Sequence, residues 1–131
     1  MLIHHFLERS AASRPDAISV VHEKNRASYA DVNKAANQVA HVLIGYGVKP
    51  GDRVVLICEN SVAYIIGYYG ILKSGGISVS LNPEMKPAGV EELLNELEPK
   101  ALIVSSKYES AIETIDLGRL GIHRLVITRP T

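Results

Sequence analysis

The chain has 131 residues, of which 47% are hydrophobic and 21% charged, and its 14 basic side chains balance its 14 acidic ones. This length and composition are typical of one globular domain with a hydrophobic core, and the zero net charge argues against nucleic acid as a partner. Residues 62–72 form the longest nearly uncharged apolar run, well short of the roughly 20 residues that a membrane-spanning helix needs. The first residues also lack the features of a secretory signal, so we expect a cytoplasmic protein without a membrane span.

The first segment predicts an amphipathic helix followed by a β-hairpin. Four apolar residues fall at helical spacing: Ile3, Phe6, Leu7 and Ala11. The sequence Arg14-Pro15-Asp16 then supplies a helix stop. Residues 17–29 have strand-like composition on both sides of a polar cluster at 23–26, which is typical of two antiparallel strands joined by a turn.

A second helix is expected to begin just after Ser28. Ser28 precedes Asp31 by three residues, and this spacing resembles a capping box, in which the serine oxygen accepts a hydrogen bond from a free backbone N–H group of the first turn. Apolar residues then recur every three or four positions as far as Leu43. Gly45 and Gly47 end the helix, and one of them is expected to supply a left-handed cap.

Short apolar strands and helices alternate along the rest of the chain. We predict strands at 54–58, 77–81, 101–104 and 125–127. We predict helices at about 60–73, at 90–97 and, with a weaker pattern, at 108–117. This alternation implies a parallel sheet with helices on both faces. The predicted fold is α/β: an N-terminal helix and β-hairpin followed by βαβαβαβ, a doubly wound and mostly parallel sheet, in a single unit over residues 1–131.

The glycines do not match the phosphate-binding loops of nucleotide-binding folds. Gly45, Gly47 and Gly51 follow a helix and precede a strand, which is the reverse of the order that a dinucleotide-binding fingerprint requires. The chain also contains no P-loop motif. A small flavodoxin-like nucleotide-binding protein is the weakest alternative, and saturable nucleotide or flavin binding would support it.

Residues at the carboxyl end of the first long apolar strand are the best placed to face a ligand. In α/β proteins this edge of the sheet often carries binding groups, so Glu59, Asn60 and Ser61 gain some weight, although capping the next helix is the preferred interpretation. Cys58 is interpreted as a small buried hydrophobe. Lys73 falls in the last turn of a helix, where a cation complements the helix dipole.

Other polar residues are interpreted structurally. Asp52 belongs to a turn with Pro50 and Gly51, and sequence alone gives no acid or base a positioned partner. The five histidines show no pairing with Cys, Asp or Glu at metal-ligand spacing, so we interpret them as solvated or partly packed: His4, His5, His22, His41 and His123.

Three motifs carry a resemblance to a known family. Residues 28–32 read S-Y-A-D-V, residues 47–54 read G-V-K-P-G-D-R-V, and residues 72–83 read L-K-S-G-G-I-S-V-S-L-N-P. In this order and spacing they resemble the N-terminal part of the adenylate-forming enzymes, the acyl-CoA synthetase and luciferase superfamily. Ser74 and Ser80 depart from the alanine and proline that are usual there. The resemblance extends over nearly the whole chain.

The resemblance implies a larger enzyme. Family members activate a carboxylic acid with Mg-ATP to an acyl-adenylate, release pyrophosphate, and pass the acyl group to a thiol such as coenzyme A. ATP, Mg and CoA are therefore implied for the full-length member. The matched motifs are structural, and the family's phosphate loop, acyl pocket and catalytic lysine lie beyond this region. We assign no catalytic, cofactor-binding or metal-binding residue, and we expect the chain alone to be inactive.

Two kinds of partner follow from this resemblance. As an N-terminal subdomain the chain would pack against the remainder of the enzyme, and alone it would expose apolar surface or an open sheet edge through which it could form a homodimer. The alternative is a stand-alone, non-catalytic interaction or regulatory module that pairs with a separate catalytic chain. A monomer with an entirely polar surface would count against the interpretation of this chain as a subdomain cut from a larger enzyme. The acid substrate and the acyl acceptor stay open.

Overall fold

Helices and strands alternate along residues 2–128, the part of the chain that the computed structural model describes. The helices are α1 (Ile3–Ser13), α2 (Tyr29–Gly45), α3 (Val62–Lys73), α4 (Pro87–Leu97) and α5 (Glu109–Ile112). The strands are β1 (Ile18–His22), β2 (Asn25–Ser28), β3 (Arg53–Ile57), β4 (Ile77–Ser80), β5 (Ala101–Ser105) and β6 (Leu125–Thr128). The predicted order of a helix, a hairpin and βαβαβαβ is confirmed.

The strands form two separate sheets. β1 and β2 pair antiparallel as the predicted hairpin, and the other four strands form a fully parallel sheet in the order β4-β3-β5-β6. In the middle of this sheet, Val55 of β3 lies opposite Val79 on one side and Leu102 on the other. The chain runs from β3 out to β4 and then returns to the other side of β3, so the strand order reverses between β3 and β5. Sheets of this kind usually bind ligands at the carboxyl edge beside such a reversal.

Helices cover both faces of the parallel sheet, as expected from strands that are continuously apolar. On one face, Val55 joins a buried cluster that includes Leu94 of α4. On the other face, Leu56 joins a cluster that includes Ile71 of α3 and Leu43 of α2. All five of these side chains are fully buried. The predicted doubly wound α/β fold is confirmed.

Two glycines let α3 approach its neighbours closely. A Cβ atom built at Gly67 would lie 3.1 Å from a terminal methyl group of Leu56 in β3. One built at Gly70 would lie 2.5 Å from a methyl group of Val39 in α2, a distance that real Cβ atoms do not adopt. The missing side chains at these two positions therefore let α3 pack closely between the sheet and α2.

The predicted ends of α2 are confirmed. The backbone N–H of Asp31 donates to Ser28 Oγ at 3.1 Å, and the N–H of Ser28 donates to a carboxylate oxygen of Asp31 at 3.4 Å, which completes the capping box. Gly47 has a φ of +93° and follows the helix end, so it is the left-handed residue that the sequence predicts.

Helix α1 and the hairpin form an outer layer on α2 and α3. Leu7 of α1 and Ala27 of β2 belong to a third buried cluster, together with residues of α2. Leu7 is nevertheless the one buried residue of α1. The other two large apolar residues of the predicted helix face, Ile3 and Phe6, are 54% and 58% exposed. Exposed apolar side chains of this kind fit the predicted apolar surface, and dimerisation through that surface stays a prediction. Among the described residues, no helix is both long enough and apolar enough to cross a membrane.

The weak helix predicted at 108–117 is wrong in its length. A short 3₁₀ turn at Ser106–Tyr108 leads into α5, which ends at Ile112. Beyond it, Thr114 Oγ1 donates to the carbonyl of Ala111, and a carboxylate oxygen of Asp116 accepts from the N–H of Arg119. Such local side-chain bonds compete with helical hydrogen bonding, which accounts for the early end of α5.

Candidate functional site

The best-formed crevice lies where the carboxyl ends of β3, β5 and β6 face the hairpin. It encloses about 500 Å³, and we call it the carboxyl-edge crevice. Its polar lining includes Arg26, Glu59, Ser61, Ser105, Lys107 and Thr128. A depression of about 570 Å³ beside α4 is slightly larger, but it is a surface hollow lined by exposed side chains such as Glu92 and Asn95. The carboxyl-edge crevice is the stronger candidate because it lies at the reversal of strand order.

Glu59 brings a half-buried carboxylate to this crevice. Ser105 Oγ, at the end of β5, donates a hydrogen bond to Glu59 Oε1 at 3.2 Å, and it accepts one from the N–H of Lys107 at 3.3 Å. The other carboxylate oxygen, Oε2, is buried and has no hydrogen-bond partner within residues 2–128. A buried carboxylate oxygen without a hydrogen-bond donor costs free energy. Glu59 Oε2 is therefore an unused hydrogen-bond acceptor at this crevice.

Ser61 connects the crevice to the start of α3. Its Oγ accepts from the N–H of Tyr64 at 3.2 Å and donates to the carbonyl of Glu59 at 2.9 Å. The preferred interpretation, a helix cap in this segment, is therefore confirmed for Ser61. Asn60 is exposed and does not line the crevice. Of the three residues singled out from the sequence, the fold brings Glu59 and Ser61 together.

Cys58 contacts this group, with its Sγ 3.7 Å from Ser61 Oγ, and is 4% exposed. Burial raises the pKa of its thiol, and Glu59 raises it further, although the hydrogen-bonding contact with Ser61 acts in the opposite direction. A thiol with a raised pKa carries little thiolate at neutral pH and is a poor nucleophile. The interpretation of Cys58 as a small buried hydrophobe is confirmed.

Cationic side chains line the same crevice, and sequence reasoning missed them. Arg26 comes from the hairpin and Lys107 follows β5, and neither forms an ion pair with Glu59 in the described part of the chain. Ser105 and Thr128 end parallel strands, so the rule that singled out Glu59 could also have found them. Arg26 gives no such signal, because its place depends on how the hairpin folds over the sheet edge.

The described glycines do not form a phosphate cradle. A Cβ atom at Gly75 would lie 3.3 Å from Pro50, and one at Gly76 would lie 3.2 Å from the carbonyl oxygen of Asp52. Asp52 in turn accepts from the N–H of Lys49 at 2.8 Å, as the predicted turn requires. Gly75 and Gly76 allow the backbone to pack against itself, so this glycine pair does not fit the phosphates of the implied ATP.

The interpretation that no histidine has metal-ligand spacing is wrong for the start of α1. Ligand atoms of His4, His5 and Glu8 all lie within 4.8 Å of one another. His4 and Glu8 are four residues apart and therefore adjacent on one helix face, a spacing that sequence alone could have revealed. With one carboxylate and two imidazoles the group does not suit Mg²⁺, which prefers oxygen ligands, so the described residues do not fit the implied magnesium either.

Lys73 has a second role besides its place at the end of α3. Its Nζ lies 3.4 Å from Glu8 Oε2, and its side chain is 6% exposed. The predicted position in the last helical turn is confirmed, and the ion pair also connects α3 to α1.

Comparisons with known proteins by family model, by sequence and by structure all find similar proteins. The family model described as AMP-binding enzyme matches residues 7–128. The chain is 39% identical over 130 residues to malpinin synthetase of Mortierella alpina, and 32% identical over 123 residues to a dimodular nonribosomal peptide synthase of Bacillus subtilis. It superposes on the anthranilate CoA ligase AuaEII, solved in complex with anthranoyl-AMP, with a TM-score of 0.91 and 29% identity.

These similar proteins are much longer than this chain. The matched regions cover 98% and 94% of this chain, but 2% and 5% of the two synthetases. The match to AuaEII covers 98% of this chain and 25% of that ligase.

Proposed function

Because this chain belongs to the AMP-binding enzyme family, we propose that it is the N-terminal part of an ATP-dependent acid-activating ligase. In the proposed reaction, a carboxylate oxygen of the acid attacks the α-phosphorus of ATP, and pyrophosphate leaves. A thiolate then attacks the acyl carbonyl, and AMP leaves. The observation that carries the proposal is the family match over residues 7–128. The superposition on a ligase whose structure contains an acyl-adenylate supports it.

The proposal also specifies which class of acid is activated and which thiol accepts the acyl group. Similarity to a dimodular nonribosomal peptide synthase, at 32% identity over 123 residues, supports an amino acid as the acid. The solved structures with the same fold include CoA ligases at 29% identity or less, so coenzyme A is the second acceptor to test. We rank a peptide-synthetase type of enzyme first and an acyl-CoA synthetase second.

Within such an enzyme this chain acts as a packed support. ATP, Mg and CoA would bind chiefly to other parts of the enzyme, because the described residues offer neither a phosphate cradle nor a set of oxygen ligands for Mg²⁺. The remainder of the enzyme is the proposed partner, and the chain alone is expected to form no adenylate. A cytoplasmic location, where ATP and CoA are available, stays part of the proposal.

The experiment is an ATP–pyrophosphate exchange assay on the natural protein that carries this sequence. An antibody to an exposed segment captures that protein, and the assay supplies amino acids, anthranilate and fatty acids one at a time. We expect exchange with at least one acid, amino acids first. The 131-residue chain alone is the matched control, and we expect no exchange from it.

The possible results separate the two hypotheses. Exchange by the captured protein but not by the chain supports the proposal. Exchange by the isolated chain would overturn its assignment as a packed support. A captured protein that exchanges with no acid would favour the stand-alone interaction module.

A further inference from the structure

A group of metal-binding side chains lies on the first two turns of α1, away from the carboxyl-edge crevice. The ligand atoms of His4, His5 and Glu8 are within 4.8 Å of one another, and the two imidazole rings meet edge to face with centroids 4.7 Å apart. Three atoms that bind one Zn²⁺ tetrahedrally lie about 3.3 Å apart, given bonds of about 2.0–2.1 Å. All three side chains are partly exposed, so small rotations can close the remaining distance.

The two imidazoles are suited to this role. In its neutral form each imidazole offers one ring nitrogen with a lone pair as a metal ligand. His5 Nδ1 accepts a long hydrogen bond of 3.2 Å from the N–H of Leu2 at the helix start. A metal bond from His5 needs only to replace this weak contact.

Two features of the surroundings oppose a cation. Lys73 Nζ lies 3.4 Å from Glu8 Oε2, and the N-terminal end of a helix carries partial positive charge. Glu8 keeps its second oxygen, Oε1, for a metal. A site with this charge balance disfavours Mg²⁺ and Ca²⁺, which bind through oxygen and charge. It suits Zn²⁺, Ni²⁺ or Cu²⁺, whose bonds to imidazole nitrogen are strong.

We propose that His4, His5 and Glu8 form a binding site for one divalent transition-metal ion of the Zn²⁺ class. Two imidazole nitrogens and one carboxylate oxygen bind the ion, and water completes its coordination. The inference is independent of the proposed adenylation. Its structural consequence is on α1, where Leu7 is the one buried residue: a metal that joins adjacent turns stabilises this helix on the outer layer.

The test is calorimetric titration of the 131-residue chain with ZnCl₂ near neutral pH in a buffer that does not bind metals. We expect one Zn²⁺ per chain and no heat of binding with MgCl₂ at the same concentrations. His4→Ala and Glu8→Gln should each weaken Zn²⁺ binding by at least about tenfold. His123→Ala is the matched control, since His123 is exposed and remote from α1 in sequence, and it should leave the affinity unchanged.

Lys73 supplies a test in the opposite direction. Lys73→Gln removes the cation that competes for Glu8, so it should tighten Zn²⁺ binding while leaving the ligands in place. Circular dichroism of each variant shows whether it is folded. If a variant unfolds, NMR of the unaltered chain replaces it, and Zn²⁺ should shift the ring signals of His4 and His5 first.

The outcomes either support or overturn the site. Zn²⁺ binding that depends on His4 and Glu8 but not on His123 supports it. Equal weakening by all three variants identifies adventitious binding to surface histidines and overturns the site. No binding up to millimolar Zn²⁺, or binding unaffected by His4→Ala and Glu8→Gln, also overturns it.

Discussion

The parallel sheet with α3 and the outer layer with α1 differ in how far they bury their apolar side chains. In β3, Val54, Val55 and Leu56 are all fully buried, and α3 packs on them through Gly67. In α1 the exposed fractions of Ile3 and Phe6 are 54% and 58%, and Leu2, just before the helix, is 60% exposed. The apolar side chains of β3 therefore lie inside a hydrophobic core. The outer layer leaves apolar surface for contacts that residues 2–128 do not make.

The largest difference between the two regions is expected when one large side chain in each is truncated to alanine. Leu56→Ala should lower the free energy of unfolding by about 3 kcal/mol, because it leaves a cavity where Leu56 is fully buried. Phe6→Ala should change it by less than about 0.5 kcal/mol, because Phe6 is 58% exposed. Urea unfolding of both variants measures the difference, and equal losses would contradict the division into two regions.

The packing of α3 on α2 gives the next largest effect. Gly70→Ala should lower the free energy of unfolding by about 2 kcal/mol, because the new Cβ atom meets Val39 at 2.5 Å. Gly45→Ala is the control, since nothing lies within 4 Å of a Cβ atom there. We expect Gly45→Ala to be neutral or slightly stabilising in the same urea titration. A neutral Gly70→Ala would mean that the two helices are further apart than described.

A smaller effect is expected where the hairpin joins α2. Ser28→Ala should lower the free energy of unfolding by about 1 kcal/mol, because Asp31 loses the acceptor for its N–H at the first turn. Ser110→Ala in α5, where the serine is exposed, should have no measurable effect. If the two substitutions have the same effect, the cap does not stabilise the boundary between the two regions.

The smallest effect is expected in the crevice between the two regions. Glu59→Gln should raise the free energy of unfolding of this chain by about 0.5 kcal/mol, because it removes a buried charge whose Oε2 has no partner among the described residues. Glu23→Gln, at an exposed position on the same crevice, should have no effect. A loss of more than about 1 kcal/mol for Glu59→Gln would show that its carboxylate has a stabilising partner besides Ser105.

The sequence predicts the fold well where local patterns and burial agree. Apolar runs such as that of β3, the capping serine at position 28 and the left-handed Gly47 all leave clear local signals, and all three are confirmed. The predicted end of α5 is wrong, because Thr114 and Asp116 form local hydrogen bonds that no periodicity reveals.

The candidate site is predictable only in part. Glu59 and Ser61 follow from their place after a buried strand, whereas Arg26 reaches the crevice only because the hairpin folds over the sheet edge. The four-residue spacing of His4 and Glu8 is visible in the sequence, and the helix predicted over this segment already places the two side chains on one helix face. Tertiary placement, which no local pattern reports, accounts for Arg26.

The central claim is that this unit works as one part of a larger acid-activating ligase. Intact-mass analysis of the natural protein, captured with an antibody to this sequence, tests the claim most directly. We expect a species several times heavier than the 14.2 kDa of this chain. A natural species of 14.2 kDa would contradict it and would identify a stand-alone module, whose partner would then have to be sought.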